Sequence, residues 1–420
     1  MKKNILAHPR LFAAGLALFG AASALFVDVS KQNVFDFKGV RAMAQDKNVQ
    51  AASSADFALD LFRREASDLS KNIVVSPFSA YEALSMAANG AAGATKKQME
   101  QVLGGGLDIK LLNERNHKVL LALNSNSAVQ MEIANAIYAD SSTRFRSSFI
   151  SLCRDVYQAE AKSENFNDPA TVTKINTWCD QKTHGKIKKI ISSLSSAEKM
   201  VLLNSVYFKG TWQKPFKAES TRQQDFKLLK GATKEVAMMY ESTDLQYYEG
   251  GGFQAVAIPY AGHRQNMYIF LPSEGADFAA FQAKFTSKDW NSWMSSLSSS
   301  RSKKVDLAMP KYTVAFSTEL NKTLKAMGMT DAFGAKADFS EMFEGQPGAI
   351  SRVLQKTYID VDEKGTEAAA VTAVGMQSRA MMQVEPPIKF TVDRPFVVAL
   401  TDQDSGEILF LGSIVDPTLK

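Results

Sequence analysis

The sequence predicts an α+β fold built on a large mixed or antiparallel sheet. Three observations carry this: helical periodicities dominate the first half after the N-terminal segment, β-branched and aromatic runs dominate the second, and no regular βαβ alternation joins them. DFALDLF places Phe57, Leu61 and Phe62 on one helical face. In SPFSAYEALSMAANG, a turn at Pro77 precedes a helix. Ser79 and Glu82 have capping-box spacing there, Ala83, Leu84, Ala87 and Ala88 are close-packing positions, and Gly90 ends the helix. Thr95 and Gln98 repeat the box before Met99, Val102 and Leu103, with Gly104 as the stop. VQMEIANAIYAD, residues 129–140, alternates as a strand, and helical patterns return over 149–157 and 171–191. VLLNSVYFKGTW, residues 201–212, is a long β-rich run. FQAVAIPY and QNMYIFLP read as a hairpin around Gly262, and VDLAMPKYTV as one further strand. Leu320, Leu324 and Met327 mark a helix ended by Gly328, and two strands flank a Ser405-Gly406 turn near the C-terminus.

A chain of 420 residues, 45% hydrophobic and 22% charged, has an ordinary soluble composition and room for one large domain or two to three smaller ones. Residues 1–24 read as a signal peptide. Lys2, Lys3 and Arg10 precede or border the uncharged run from Leu11 to Val27, and Ala22-Ser23-Ala24 supplies small residues for cleavage. The expectation is a secreted protein, extracellular or periplasmic; an uncleaved membrane tether is the alternative. Residues 25–50 lack a sustained apolar period and read as a linker, in which Ala42-Met43-Ala44 is a second cleavage triplet. Losing the leader lowers the formal charge from +5 to about +2, too weak to argue for nucleic acid or membrane binding.

Hydrolytic catalysis finds little support. The four histidines, His8, His117, His184 and His263, are scattered, and there is no G-x-S-x-G elbow and no zinc spacing. Gly104-Gly105-Gly106 and Gly250-Gly251-Gly252 lack P-loop or dinucleotide-binding flanks and read as turns. No metal or cofactor is expected. Cys153 and Cys179 read as two small buried thiols, with one bridge after export as the alternative.

One segment resists assignment. DEKGTEAAAVTAVGMQSRAMMQVEPP, from Asp362 to Pro387, fits a loop, a strand or a helix in parts. As a strand, one face would carry Thr366, Ala368, Ala370, Thr372 and Val374, and the other Glu367, Ala369, Val371 and Ala373. The first face is small and uncharged, and the charge sits on the face free to look outward. Gly365 frees the backbone at the pivot.

The segments NIVVSPFSAYEALSMAANGAAGATKKQMEQVLG, NSVYFKGTWQKPF, IPYAGHRQNMYIFLP, YIDVDEKGTEAAAVT, VDRPFVVALTD and ILFLGSIVDP occur in this order, and together they resemble the serpins over residues 51–417. The resemblance implies one serpin domain over 51–420: a large central mixed sheet, two smaller sheets and about nine helices. It makes 365–388 the reactive-centre loop and implies a protease inhibitor, not an enzyme. It implies that the loop joins the central sheet as a new strand after cleavage. Glu363, Gly365, Thr366, Ala368, Ala369, Ala370 and Thr372 then form the hinge.

The bait follows from two arguments. Arg379 is the only basic residue between Gly365 and Ile388, and it stands sixteen residues after Glu363, the family's spacing from hinge glutamate to cleaved residue. Both point to the Arg379–Ala380 bond; a cut near Met381 or Met382 is the alternative, because AMMQVEPPI runs a few residues long. Arginine fits a protease with an acidic specificity pocket. The partner implied is a trypsin-like serine protease, or an arginine-specific cysteine protease, acting on a monomer. Family positions that control insertion fall at Ser76, Ser79, Asn204, Trp212 and Lys311, the last paired with Glu363. A usual histidine is replaced by Gln355, which keeps donor and acceptor but loses pH sensitivity. The alternative function is a non-inhibitory carrier or chaperone-like serpin, although the hinge lacks the bulky, charged or proline residues usual in those members.

Overall fold

The computed structural model describes residues 47–124, 129–345, 348–366 and 386–419. Its elements are, in chain order, α1 (Lys47–Glu65), β1 (Ile73–Val75), α2 (Pro77–Ala88), α3 (Gly93–Gly104), α4 (Ile109–Asn124), β2 (Val129–Asp140), β3 (Arg144–Phe145), α5 (Ser147–Tyr157), β4 (Glu160–Glu164), α6 (Pro169–Lys182) and β5 (Met200–Thr211). There follow β6 (Arg222–Lys227), β7 (Thr233–Gly250), β8 (Phe253–Pro259), β9 (Gln265–Pro272), α7 (Phe278–Ala283), α8 (Ser287–Ser299), β10 (Lys303–Pro310), β11 (Tyr312–Glu319) and α9 (Asn321–Met327). The chain closes with β12 (Phe343–Glu344), β13 (Ile350–Val361), β14 (Gly365–Thr366), β15 (Ile388–Thr391), β16 (Phe396–Asp402) and β17 (Ile408–Ile414).

The central sheet is mixed, with strand order β11-β13-β14-β5-β2-β4. Its middle strand β5 is almost wholly buried, which explains a hydrophobic run without alternation. Val201 and Leu203 face Ile175, Trp178 and Cys179 of α6, whereas Met200 and Leu202 join a second cluster with Leu84 and Met86 of α2. The helix α6 is set by Asp168, whose carboxylate accepts from the Ala170 N–H, and by Pro169 at its first position. A larger sheet runs β1-β17-β16-β9-β8-β7-β10-β15, with β6 on β7. It is two smaller sheets joined by the long β7, which pairs β6 and β10 along its first part and β8 over Gln246–Gly250. A third, two-stranded ladder pairs β3 with β12. The described residues from 47 onward form one compact unit.

Several local readings change. The helix α2 starts at Pro77, with Ser76 extended before it, so Ser79 and Glu82 lie inside the helix as buried residues instead of forming a capping box. A proline at the first helical position, where its missing N–H costs nothing, fixes the earlier start. The helix α3 starts at Gly93, and the second box also fails. Thr95 accepts from the Asp338 N–H, and Gln98 accepts from the Thr330 and Asp331 N–H groups, so both serve a distant chain segment. VDLAMPKYTV is two strands in two sheets, parted at Pro310-Lys311. The helical run after 171 ends at Lys182, followed by His184 and Gly185 at positive φ. The helix α1 begins inside the stretch read as linker, since Lys47–Ala52 contains helix formers and no proline or glycine. Cys153 and Cys179 are free and buried, and burial pushes the Cys179 thiol up to about 11.

Candidate functional site

In the middle of the central sheet, β13 and β5 run parallel and pair directly from Ile350↔Met200 to Tyr358↔Tyr207. Above Tyr358 they part, and β14 fills the opening. Gly365 and Thr366 pair antiparallel with Thr211 and Gly210 of β5, and Thr366 pairs antiparallel with Val361 of β13. Gly365 is required here: at φ +152°, a Cβ would lie 2.0 Å from the Gly210 carbonyl oxygen. Thr366 is fully buried, and its hydroxyl lies 2.7 Å from the Tyr260 hydroxyl.

The entrance to this opening is held from both sides. Trp212 donates its backbone N–H to the Lys364 carbonyl (2.9 Å) and its indole N–H to the Asp362 carbonyl (3.0 Å). Its ring stacks on Tyr260 with centroids 4.4 Å apart. The Phe216 N–H binds the Glu363 carbonyl (2.8 Å). The Glu363 carboxylate accepts from Lys311 Nζ (2.7 Å) and Thr221 Oγ1 (2.8 Å). Burial alone would push Glu363 up, but the bonds from Lys311, the backbone and Thr221 outweigh it and hold the carboxyl below its usual value.

Lower in the sheet, a buried polar cluster bolts β13 to β5. Gln355 and Asn204 are direct partners in the parallel ladder, and Gln355 Nε2 donates to Asn204 Oδ1 at 2.6 Å. The Gln355 amide also takes the Ser76 N–H (3.0 Å) and donates to the Ser76 carbonyl (2.9 Å). Ser76 Oγ donates to the Leu409 carbonyl. Asn204 Nδ2 is close to Ser79 Oγ and donates to Asn135 Oδ1 at 2.6 Å. The five side chains are each no more than 3% exposed. A strand inserted here would break the Gln355–Asn204 bond.

The sequence-predicted residues thus fall into two described groups: Trp212, Lys311, Glu363, Gly365 and Thr366 at the top of the opening, and Ser76, Ser79, Asn204 and Gln355 beneath it. Ala368, Ala369, Ala370, Thr372 and the Arg379–Ala380 bond lie outside the described residues. Asn135, Thr221 and Tyr260 were missed. Asn135 carried a weak signal, a polar residue among the apolar Ala134, Ala136, Ile137 and Tyr138; Tyr260 carried none, since a tyrosine ending a hairpin strand is ordinary.

The family model for serpins (serine protease inhibitors) matches residues 52–417. The chain belongs to the serpin family. An uncharacterized serpin-like protein of Thermococcus kodakarensis is 35% identical over 381 residues, covering 89% of this chain and 87% of that protein. Among solved structures, the native state of the thermophilic serpin tengpin superposes with a TM-score of 0.79 at 30% identity, covering 87% of this chain and 94% of tengpin. Thyroxine-binding globulin in complex with thyroxine superposes at 0.78 and 26% identity, covering 88% and 99%. The serpin fold read from the sequence is the fold observed: a central mixed sheet, further sheets beside it, and α1–α9 among the described residues.

Proposed function

We propose that this serpin is a suicide inhibitor of trypsin-like serine proteases, with Arg379–Ala380 as the bait bond. The observation that supports it best is the strand geometry around β14. The neighbours β13 and β5 are parallel to each other, while β14 is antiparallel to both. A strand continuing from Thr366 would replace one parallel ladder by two antiparallel ones, and antiparallel pairing is slightly more stable per residue. The closed sheet is therefore a trapped state with a better-paired state available to it.

In this reading the protease nucleophile attacks the Arg379 carbonyl. The Arg379–Ala380 bond breaks, Ala380 leaves as a free amine, and Arg379 stays esterified to the enzyme. The freed segment zips downward between β5 and β13. Fifteen residues from Gly365 to Arg379 span about 50 Å at strand rise. A displacement of about 1 Å already costs a catalytic site ~10²-fold, so the dragged protease cannot deacylate. No catalytic residue of the serpin takes part.

Mixing the purified protein with trypsin should give an SDS-resistant covalent complex and a released fragment that starts at Ala380. The likeness to thyroxine-binding globulin favours a second reading, a carrier; cleaved protein with free, active trypsin and no complex would select it. Residues 1–24 would direct export, so the exported protein should begin at or shortly after Leu25, or at Gln45 if the second triplet is cut. An intact leader in the membrane fraction would select the tether instead.

A further inference from the structure

We propose that the Tyr260 hydroxyl is a docking point that holds Thr366 between β5 and β13, so that loop insertion starts from a residue already in place. Tyr260 is built as a fixed post. It is fully buried directly after β8, its N–H donates to the Gln265 carbonyl (3.0 Å), and it forms an isolated bridge with Trp212. One ring face stacks on Trp212, and Phe208 meets the ring edge-on at 5.1 Å. Gly210 leaves the ring its room: a Cβ there would lie 2.7 Å from Tyr260 Cδ1. The only polar atom of this side chain is therefore presented into the opening, 2.7 Å from Thr366 Oγ1. Burial pushes the phenol well above its usual value, so the proton stays on and remains available for the bond.

The same contact fixes register. Gly365 sits so close to Gly210 that the chain cannot slide one residue without forcing a side chain against the Gly210 carbonyl. A one-residue slip would also turn every following side chain to the wrong face. Tyr260 and Gly210 together thus set both the position and the phase of the strand to come. Starting a strand costs ordering entropy before any ladder repays it. A hinge residue already in place removes that first step from the race between insertion and deacylation. Tyr260 is a positioning residue in this scheme; it touches neither the protease nor the scissile bond.

The docking can be read without any protease, whereas its consequence for inhibition rests on the suicide-inhibitor reading. Hydrogen exchange of the segment 361–366 in the full chain reports docking. Tyr260→Phe keeps the ring and removes the hydroxyl; a net hydrogen bond of ordinary strength corresponds to about fivefold faster exchange there. Thr366→Val should do the same from the other partner, Thr366→Ser should restore the parent rate, and the double variant should be no worse than either single one. With trypsin, both single variants should raise the ratio of cleaved inhibitor to complex about fivefold while leaving the association rate unchanged. Unchanged exchange in Tyr260→Phe overturns the docking. Faster exchange with an unchanged ratio overturns its role in starting insertion. A parent that forms no complex overturns the inhibitor reading alone, and exchange then still decides the docking.

Discussion

Gln355 of β13 donates its side-chain amide to the side-chain oxygen of Asn204 of β5, 2.6 Å away, across the seam that an inserting strand has to open. The same amide bonds both the N–H and the carbonyl of Ser76 at the start of α2. One neutral side chain thus ties the two strands to each other and to the helix beneath them.

Gln355→Leu should therefore weaken the uncleaved form more than the loop-cleaved one. It leaves the Ser76 N–H and carbonyl and the Asn204 oxygen without this partner. Buried groups left in this way cost about 1–3 kcal/mol each, so the loss is on the order of 3 kcal/mol. For a domain of this size that lowers the uncleaved melting temperature by about 4 °C. Insertion after loop cleavage would break the seam bond but leave the two Ser76 bonds to be lost, so the shift there should be about two-thirds as large. Equal shifts in the two forms, measured by thermal melts before and after loop cleavage, would remove the seam from the control of insertion. No titratable side chain belongs to the described cluster, so the Gln355–Asn204 bond itself is not a pH switch.

The bait assignment predicts that Arg379→Ala abolishes inhibition of trypsin while leaving the melting temperature of the uncleaved protein unchanged. Mass analysis of the parent after trypsin should give a new C-terminus at Arg379. A variant that inhibits trypsin as fast as the parent would move the bait elsewhere, with Met381 and Met382 next to be tested.

The register of β14 makes a position-specific prediction. Six residues down the loop from Thr366 is Thr372; six residues down β5 from Gly210 is Asn204, and six residues down β13 from Val361 is Gln355. The two ladders are read independently and converge on one place. Insertion should bring the Thr372 hydroxyl between the two side chains whose bond it breaks, and a hydroxyl can donate to one and accept from the other. Thr372→Val should therefore reduce the gain in melting temperature on loop cleavage by about 1–2 °C and leave the uncleaved form unchanged. A variant with the full parental gain would show that the register does not continue. At the top of the strand, Thr366→Arg would have to bury a guanidinium against Tyr260. Burial of an unpaired charge costs several kcal/mol, so insertion should lose to deacylation, and the variant should be cleaved by trypsin with little complex formed.

How far the sequence carried follows from the kind of signal each element has. Strands with a clean pattern emerged where expected: β2 occupies Val129–Asp140, and β8 and β9 form the hairpin around Gly262. The helix around Leu320 and Leu324 ends at Gly328 in the left-handed region. The two capping-box failures share a cause: polar residues with local meaning were claimed by distant partners. Ser79 and Thr95 have capping-box spacing, but Ser79 meets Asn204 across 125 residues and Thr95 serves Asp338. Nothing local distinguishes a serine that caps a helix from one that bolts it to a sheet. The join through β7 was equally hidden, because one strand serving two sheets has no period of its own. At the site, the small side chains read as a hinge lie outside the described residues, and the pairing of Gly365 and Thr366 between β5 and β13 had no signal in the sequence. That depends on Tyr260 and Gly210, which lie more than 100 residues before it.

Glu82 provides the last prediction. Its carboxyl is fully buried in α2, one turn beyond Ser79, and neither oxygen has a hydrogen-bond partner among the described residues. Burial holds its pKa well above 4.5, opposed only in part by the charge of Arg115. Arg115 is committed elsewhere: it pairs with Glu407, bonds Ser54 and lies over the Tyr81 ring. Tyr157 faces the same region from the end of α5, and its phenol is itself pushed well up by burial. The group is therefore protonated in the folded protein at pH values where it is ionised in the unfolded chain. The folded state then binds the extra proton, so Glu82's contribution is full below pH 4.5 and is lost as the pH rises toward the folded pKa. Across that window stability should fall by roughly 1.4 kcal/mol, or about 2 °C in melting temperature, per pH unit from this residue alone. Glu82→Gln keeps the shape and removes the titration. Melting temperatures of parent and variant should coincide near pH 4.5 and diverge above it, with the variant the more stable at pH 7. Two curves that stay parallel from pH 4.5 to pH 7.5 would mean that Glu82 finds, when ionised, a partner the folded structure does not show.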